Sequence, residues 1–253
     1  MMEFDNGHYF KSIILRRNDI PSYSRYPFSL PAVKNLDNLP LHPDVTFIVG
    51  ENGMGKSTLL EAIAIAAGFN PEGGSLNFSF STHNSHSELE QYIRLSRGSE
   101  RPEDGFFLRA ESFYNVASYI DDLDKEDNMD RPPLRDSFGG LSLHEQSHGE
   151  AFFATFLNRF RGKGIYILDE PEAALSPLRQ LSMVSRIHEL AKDRSQFIIA
   201  THSPIIMSYP SAKIIELTEE GVQEVRLEDT GHYQFMKQFF ENRERMLHHL
   251  LEE

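Results

Sequence analysis

An α/β fold is predicted: a mostly parallel sheet flanked by helices, with an N-terminal antiparallel β portion and a reduced helical subdomain. Three observations predict it. Short, nearly continuous apolar runs occur at 45–49 (VTFIV), 164–168 (GIYIL) and 196–200 (QFIIA), the pattern of parallel strands covered on both faces. Helical patterns lie between them, at 56–67 and 178–192, and strands alternating with helices argue for βαβ units. The 253 residues, 40% hydrophobic and 25% charged, suit a soluble globular protein of one or two domains with a substantial core, and single α/β domains of this length are common.

The elements follow in order. Residues 10–16 (FKSIILR) read as a first strand. A connection punctuated by Pro21, Pro27, Pro31, Pro40 and Pro43 leads to the run at 45–49. Helix 56–67 (KSTLLEAIAIAA) is rich in Ala and Leu, and Gly68 is its stop. Residues 70–104 are polar and read as loops or an edge hairpin, then a helix over 87–96. A strand is expected at 105–110 (GFFLRA). Residues 121–136 hold seven acidic residues, three basic ones and two adjacent prolines. That composition predicts a solvated loop, with an acidic partner-docking segment as the alternative. Helix 145–161 places Phe152, Phe153, Phe156 and Leu157 on one face. Within 233–251, Met236, Phe239, Phe240, Met246, Leu247, Leu250 and Leu251 fall near a 3.6-residue period. This predicts an amphipathic helix packing on its own core, or else docking a partner.

Gly50, Glu51, Asn52, Gly53, Met54, Gly55, Lys56 and Ser57 fit G-x-x-x-x-G-K-[ST] without a mismatch, in the strand–loop–helix context the motif requires. The glycines let backbone N–H groups turn inward onto phosphate oxygens, and the following helix N-terminus favours an anion. Lys56 then reaches the β- and γ-phosphates, the Ser57 hydroxyl ligates Mg²⁺, and Thr58 faces an α-phosphate or the core. The run at 164–168 ends in Asp169 and Glu170. Strand alternation sends these carboxylates different ways. Asp169 would hold Mg²⁺ beside Ser57, and Glu170 would polarise the attacking water as general base.

Together these motifs resemble the ABC-type ATPase family of P-loop NTPases. The stretches GENGMGKSTLLEAIA, SLHEQSHGE, LDEPEAALSP and FIIATHSP are similar to stand-alone bacterial AAA/ABC-type ATPases of the RecF/SMC-like group. The resemblance spans about residues 10–218 and implies further roles. Ser147 and Gly149 take the place of the signature serine and glycine, which bind the γ-phosphate of a nucleotide held by the opposite subunit. His148 and Glu150 depart from the commonest S-G-G-Q form. His202, in ATHSP, takes the place of the switch histidine that donates to the γ-phosphate or the attacking water. Residues 173–177 match the D-loop, with Ser176 where many members have Asp. Glu111 would replace the usual Q-loop glutamine near Mg²⁺. Tyr26 and Phe28 are candidates to stack on adenine. The implied organisation is a single domain over 1–253: an N-terminal lobe (10–104), a Q-loop-to-signature segment (105–150), a segment from the strand-end acids to the switch histidine (151–218) and a C-terminal amphipathic helix (232–253).

Charge and spacing exclude some classes. Lys and Arg total 25 against 38 Asp and Glu, a formal charge of −13, so DNA binding would need a local patch. No cysteine is present, which excludes a disulfide scaffold, a thiolate metal site and a Cys nucleophile. There is no signal-peptide pattern and no run of 18 apolar residues, so a cytoplasmic protein is expected. Only 36 positions separate Glu111 from Ser147, which leaves no room for the long coiled coil of SMC proteins. The 51 residues after His202 hold no acidic constellation of a nuclease. The expected function is Mg²⁺-dependent hydrolysis of ATP, sandwiched in an ATP-dependent head-to-tail homodimer that drives an unknown protein partner. The alternatives are a nucleotide-gated binding module with little turnover, or the ATPase subunit of a transporter or of a RecF-like DNA repair or defence system.

Overall fold

The computed structural model describes residues 9–76, 87–126, 136, 138, 140 and 148–251. The central sheet has seven strands: β3 (Val45–Gly50), β4 (Gly74–Ser75), β6 (Asp104–Arg109), β7 (Gly164–Asp169), β8 (Gln196–Ala200), β9 (Lys213–Leu217) and β10 (Val222–Val225). Their order is β10-β9-β3-β8-β7-β6-β4. The five inner strands are parallel, and the edges β10 and β4 pair antiparallel. A separate antiparallel sheet has the order β2-β1-β5, from β1 (Phe10–Leu15), β2 (Asn38–Pro40) and β5 (Ile93–Arg97). The predicted α/β architecture with its N-terminal antiparallel portion is the observed one.

Every residue of β3, β7 and β8 is buried, because the sheet is covered on both faces. Side chains alternate between two clusters. Val45, Phe47 and Val49 of β3, with Tyr166 and Leu168 of β7, enter one. Ile48 of β3, with Ile165 and Ile167 of β7, enters the other. The first cluster is roofed by α3 (Phe113–Glu126), α4 (His148–Arg159), α5 (Pro177–Lys192) and α6 (Pro204–Met207). The second packs on α2 (Lys56–Ala67), the short α1 (Pro31–Lys34) and the small sheet. Gly68, left-handed at φ 104°, closes α2.

Three expectations are corrected. Residues 87–96 are not an α-helix but a 3₁₀ turn (Glu88–Tyr92) followed by β5. Ile93 and Leu95 alternate with Arg94 and Ser96, and the strand pairs with β1, so the period is two rather than 3.6. Residues 121–126 are not loop but the last turns of α3. Val116, Ala117 and Ile120 bury one face of that helix while the aspartates fall elsewhere on it, and residues 127–135 lie outside the described residues. The C-terminal stretch is two helices, α7 (Gly231–Glu241) and α8 (Arg243–Leu251), broken at Asn242. Neither buries a residue, and Phe235, Met236, Phe240, Leu250 and Leu251 are exposed. The stripe therefore does not pack on the core.

In α4, Phe152 and Phe156 are buried as expected, whereas Leu157 is exposed. Arg159 ends that helix with two bonds to Asp104 of β6, at 2.8 and 3.0 Å. The same carboxylate accepts the buried Tyr166 hydroxyl at 2.8 Å. This network pins the C-terminal end of α4 to the sheet. Among the described residues, no helix is long and apolar enough to cross a membrane.

Candidate nucleotide-binding site

The loop after β3 begins at Gly50, whose φ is 142° and whose added Cβ would lie 2.4 Å from the Leu217 carbonyl oxygen on β9. No larger residue fits that approach. Residues 51–55 then turn into α2, and the Ala32 N–H donates to the Met54 carbonyl at 3.1 Å, fastening the loop to α1. Lys56 is buried and donates to the carbonyls of Gly50 at 2.8 Å and Glu51 at 3.1 Å. Burial pulls its pKa down, against the opposing charges of Glu170 and Asp169. Asn52, Gly53, Gly55, Lys56, Ser57 and Thr58 line a cleft, with Leu30 and Glu170 at its sides.

The end of β7 meets the start of α2. Ser57 Oγ donates to Asp169 Oδ1 at 3.1 Å. Burial pushes the Asp169 carboxyl up to about 6, against the pull of Arg109 and of the Ser57 hydrogen bond. Arg109, at the end of β6, lies 3.5 Å from Asp169 and 2.6 Å from Glu61 of α2. Glu111 is 85% exposed and reaches Arg109 at 3.6 Å. The described contacts of Glu111 thus run to Arg109 rather than to Ser57 or Asp169.

Glu170 occupies the left-handed region, φ 49° and ψ 53°, which costs a residue with a Cβ about 1–2 kcal/mol. Its N–H is held by the Ala200 carbonyl at 3.0 Å. The turn sends its side chain to the cleft, where its Oε1 is 3.5 Å from His202 Nε2. That nitrogen is buried and has no hydrogen-bond partner among the described residues. Glu172 holds the His202 segment from below, accepting the His202 backbone N–H and, at 2.7 Å, the Thr201 hydroxyl. His202 Nδ1 is 2.8 Å from His232 Nε2. Burial, Lys56 and His232 together pull the His202 pKa down.

Lys56, Ser57 and Glu170 therefore line one cleft, with Asp169 bonded to Ser57 and His202 beside Glu170. Ser147 lies outside the described residues. Gly149, in the first turn of α4, meets its own chain instead: a Cβ there would lie 2.4 Å from the Ala174 carbonyl oxygen. Glu150 pairs with Arg179 at 3.8 Å, and Ser176 caps α5 by accepting the Arg179 N–H. Tyr26 is exposed, with its hydroxyl 3.3 Å from Thr58 Oγ1. Phe28 is fully buried, edge-on to Tyr92 with ring centroids 4.8 Å apart, so it is core and cannot stack on a base. Arg109, Glu172 and His232 were not singled out from the sequence. Glu172 stood in the DEPE stretch, and no sequence signal marks His232.

Hard oxygen donors at Ser57 and Asp169, beside the loop at the start of α2, suit Mg²⁺, which takes few protein ligands beside phosphate oxygens and water. Among the described residues, no group of three His, Cys, Asp or Glu is placed to hold a metal by itself.

Known proteins agree with this frame. Residues 28–116 match a family described as "AAA domain", and residues 139–208 match one described as "AAA domain, putative AbiEii toxin, Type IV TA system". Fold, phosphate loop and these matches support a P-loop domain of the ABC/AAA ATPase type. The chain is 28% identical over 178 residues to the thiamine import ATP-binding protein ThiQ of Vibrio cholerae, covering 63% of this chain and 68% of that protein. It is 24% identical over 213 residues to the energy-coupling factor transporter ATP-binding protein EcfA2 of Methanospirillum hungatei, covering 78% of this chain and 51% of that protein, so it spans about half the length of that relative. Among solved structures, cbiO1 of Clostridium perfringens, part of the ABC transporter complex cbiONQ, has a TM-score of 0.50 at 19% identity, covering 98% of this chain and 100% of that one. The last likeness is one of fold.

Proposed function

We propose that the chain is a single ATPase domain that binds ATP with Mg²⁺ and hydrolyses it between two copies arranged head to tail. The observation that carries the reading is the convergence of Lys56, the Ser57–Asp169 pair and the Glu170–His202 pair on one cleft. Phosphate oxygens would replace the Gly50 and Glu51 carbonyls as partners of Lys56. Ser57 and Asp169 would hold Mg²⁺, which would neutralise charge on the phosphates. Glu170 would accept the proton of the attacking water, and His202 would donate from Nε2 to the γ-phosphate.

Ser147 and Gly149 are proposed to act in trans, as the resemblance of their segment to the signature motif implies; the Gly149 backbone packs closely on the Ala174 carbonyl of its own chain. The two relatives, both named as ATP-binding proteins, support nucleotide use. A cytoplasmic location and an unidentified protein partner belong to the same proposal, and the charge of −13 gives DNA no general surface. Phosphate release from ATP with Mg²⁺, compared with EDTA, tests the reading. Tight ATP binding without release would favour the nucleotide-gated binding module.

A further inference from the structure

His202 is gripped from two sides. Glu172 fixes its backbone and the neighbouring Thr201 hydroxyl. On the ring, Nδ1 lies 2.8 Å from Nε2 of His232, with the two rings 64° apart in plane. His232 comes from the first turn of α7, and that turn is itself anchored. Thr230 is fully buried, donates to the Leu227 carbonyl at 2.8 Å and accepts the Tyr233 N–H at 3.4 Å. The Gly231 N–H donates to Glu216 of β9 at 3.3 Å.

A neutral imidazole carries one proton, so one nitrogen donates and the other accepts. The hydrogen bond between the rings therefore couples their tautomers. If His232 donates from Nε2, then His202 Nδ1 accepts and the His202 proton sits on Nε2. If His202 donates from Nδ1, its Nε2 is a bare lone pair 3.5 Å from the Glu170 carboxylate. The second arrangement sets two negative ends against each other in a partly desolvated cleft, and the first sets an N–H against a carboxylate. Burial, with the nearby positive charge of Lys56, pulls the His202 pKa down and so favours the neutral ring, in which the choice of tautomer matters.

We infer that His232 is a positioning residue for the proposed hydrolytic site: it donates Nε2–H to His202 Nδ1 and so keeps the His202 proton on Nε2, on the side of Glu170. The catalytic consequence rests on the ATPase reading, whereas the tautomer does not. Two experiments separate them.

The first uses nucleotide-free full-length protein labelled with ¹⁵N-histidine, with long-range ¹H–¹⁵N correlation at pH 8 and signals assigned with His202→Gln and His232→Gln. The wild type is expected to hold His202 as the Nε2–H tautomer. His232→Phe, which keeps a ring but has no donor, should show a mixture. His232→Gln, whose amide nitrogen can donate from a similar place, should restore the wild-type pattern. An Nδ1–H tautomer in the wild type, or an unchanged tautomer in His232→Phe, overturns the inference.

The second is steady-state phosphate release. His232→Phe should lower kcat by about five- to tenfold, the worth of one hydrogen bond, with KM within about twofold, and His232→Gln should recover most of it. A loss carried by KM alone, or no rescue by Gln, overturns the positioning role. A wild type without turnover but with the Nε2–H tautomer removes the ATPase reading and leaves the tautomer assignment standing.

Discussion

Ser57 Oγ donates to Asp169 Oδ1 at 3.1 Å, joining residues 112 positions apart in the chain. The sheet order explains the meeting. β3 and β7 flank β8 in parallel, so the loop after one strand and the acids ending the other emerge at the same carboxyl edge, where open α/β sheets bind ligands. The five inner strands carry the loop, the acids and His202 to that edge.

Lys56 is the first test of the phosphate reading. Replacing it with alanine should leave the fold intact and weaken ATP binding by about tenfold or more, since charge-assisted hydrogen bonds are worth about 1.5–3 kcal/mol. Titration with a fluorescent ATP analogue, alongside circular dichroism, measures both. Unchanged affinity contradicts the assignment of the loop.

Glu170→Gln keeps shape and removes the base. Turnover should fall by about 10²–10⁴-fold, the range typical of a general base, while ATP affinity persists. The stalled protein should accumulate as a dimer in light scattering with ATP and Mg²⁺. Undiminished turnover removes Glu170 from the chemistry, and a monomer throughout removes the head-to-tail arrangement.

Asp169 should leave a mark on stability against pH. Its folded carboxyl sits at about 6, against 3.8 for the ordinary group. The folded state therefore holds this proton more tightly than the unfolded chain. The associated stability is fully present below about pH 4 and is lost as pH rises through about 6. Two units correspond to roughly 3 kcal/mol as an upper figure. Urea unfolding between about pH 4 and pH 7 should show this fall in the wild type and a flatter profile in Asp169→Asn. Equal slopes would mean that Asp169 titrates normally.

Tyr26 is the remaining aromatic candidate for the base. Tyr26→Ala should weaken ATP binding by about 1–3 kcal/mol, the worth of an aromatic stack on a base, and should leave binding of inorganic tripolyphosphate unchanged. A parallel loss for both ligands would place Tyr26 at the phosphates, through Thr58, instead of at the base.

The parts legible in the sequence are those with one dominant local cause. β3, β7 and β8 are buried on both faces, so their residues form nearly continuous apolar runs, and α2 follows from its glycine loop and its Ala- and Leu-rich composition. β5 was hidden because only Ile93 and Leu95 alternate, in a polar stretch whose register comes from β1. The acidic half of α3 was hidden because its helix is decided by the burial of Val116, Ala117 and Ile120, not by its own charged residues. Phe28 looked like a stacking residue because composition cannot say which side of a loop faces the core. His232 was invisible for a further reason: its bond to His202 spans 30 positions and depends on where a buried threonine cap sets the first turn of α7.

The turn Pro171–Ala174 starts beside Glu170 and ends with its last carbonyl under Gly149. A carboxylate proposed to act on the chain's own nucleotide and a glycine proposed to touch another copy's nucleotide thus sit at the two ends of a four-residue strut. At 2.4 Å from a notional Cβ to the Ala174 oxygen, there is no slack at the glycine end. In the proposed head-to-tail pair, that strut would tie the carboxylate of one site to the glycine that reaches the other.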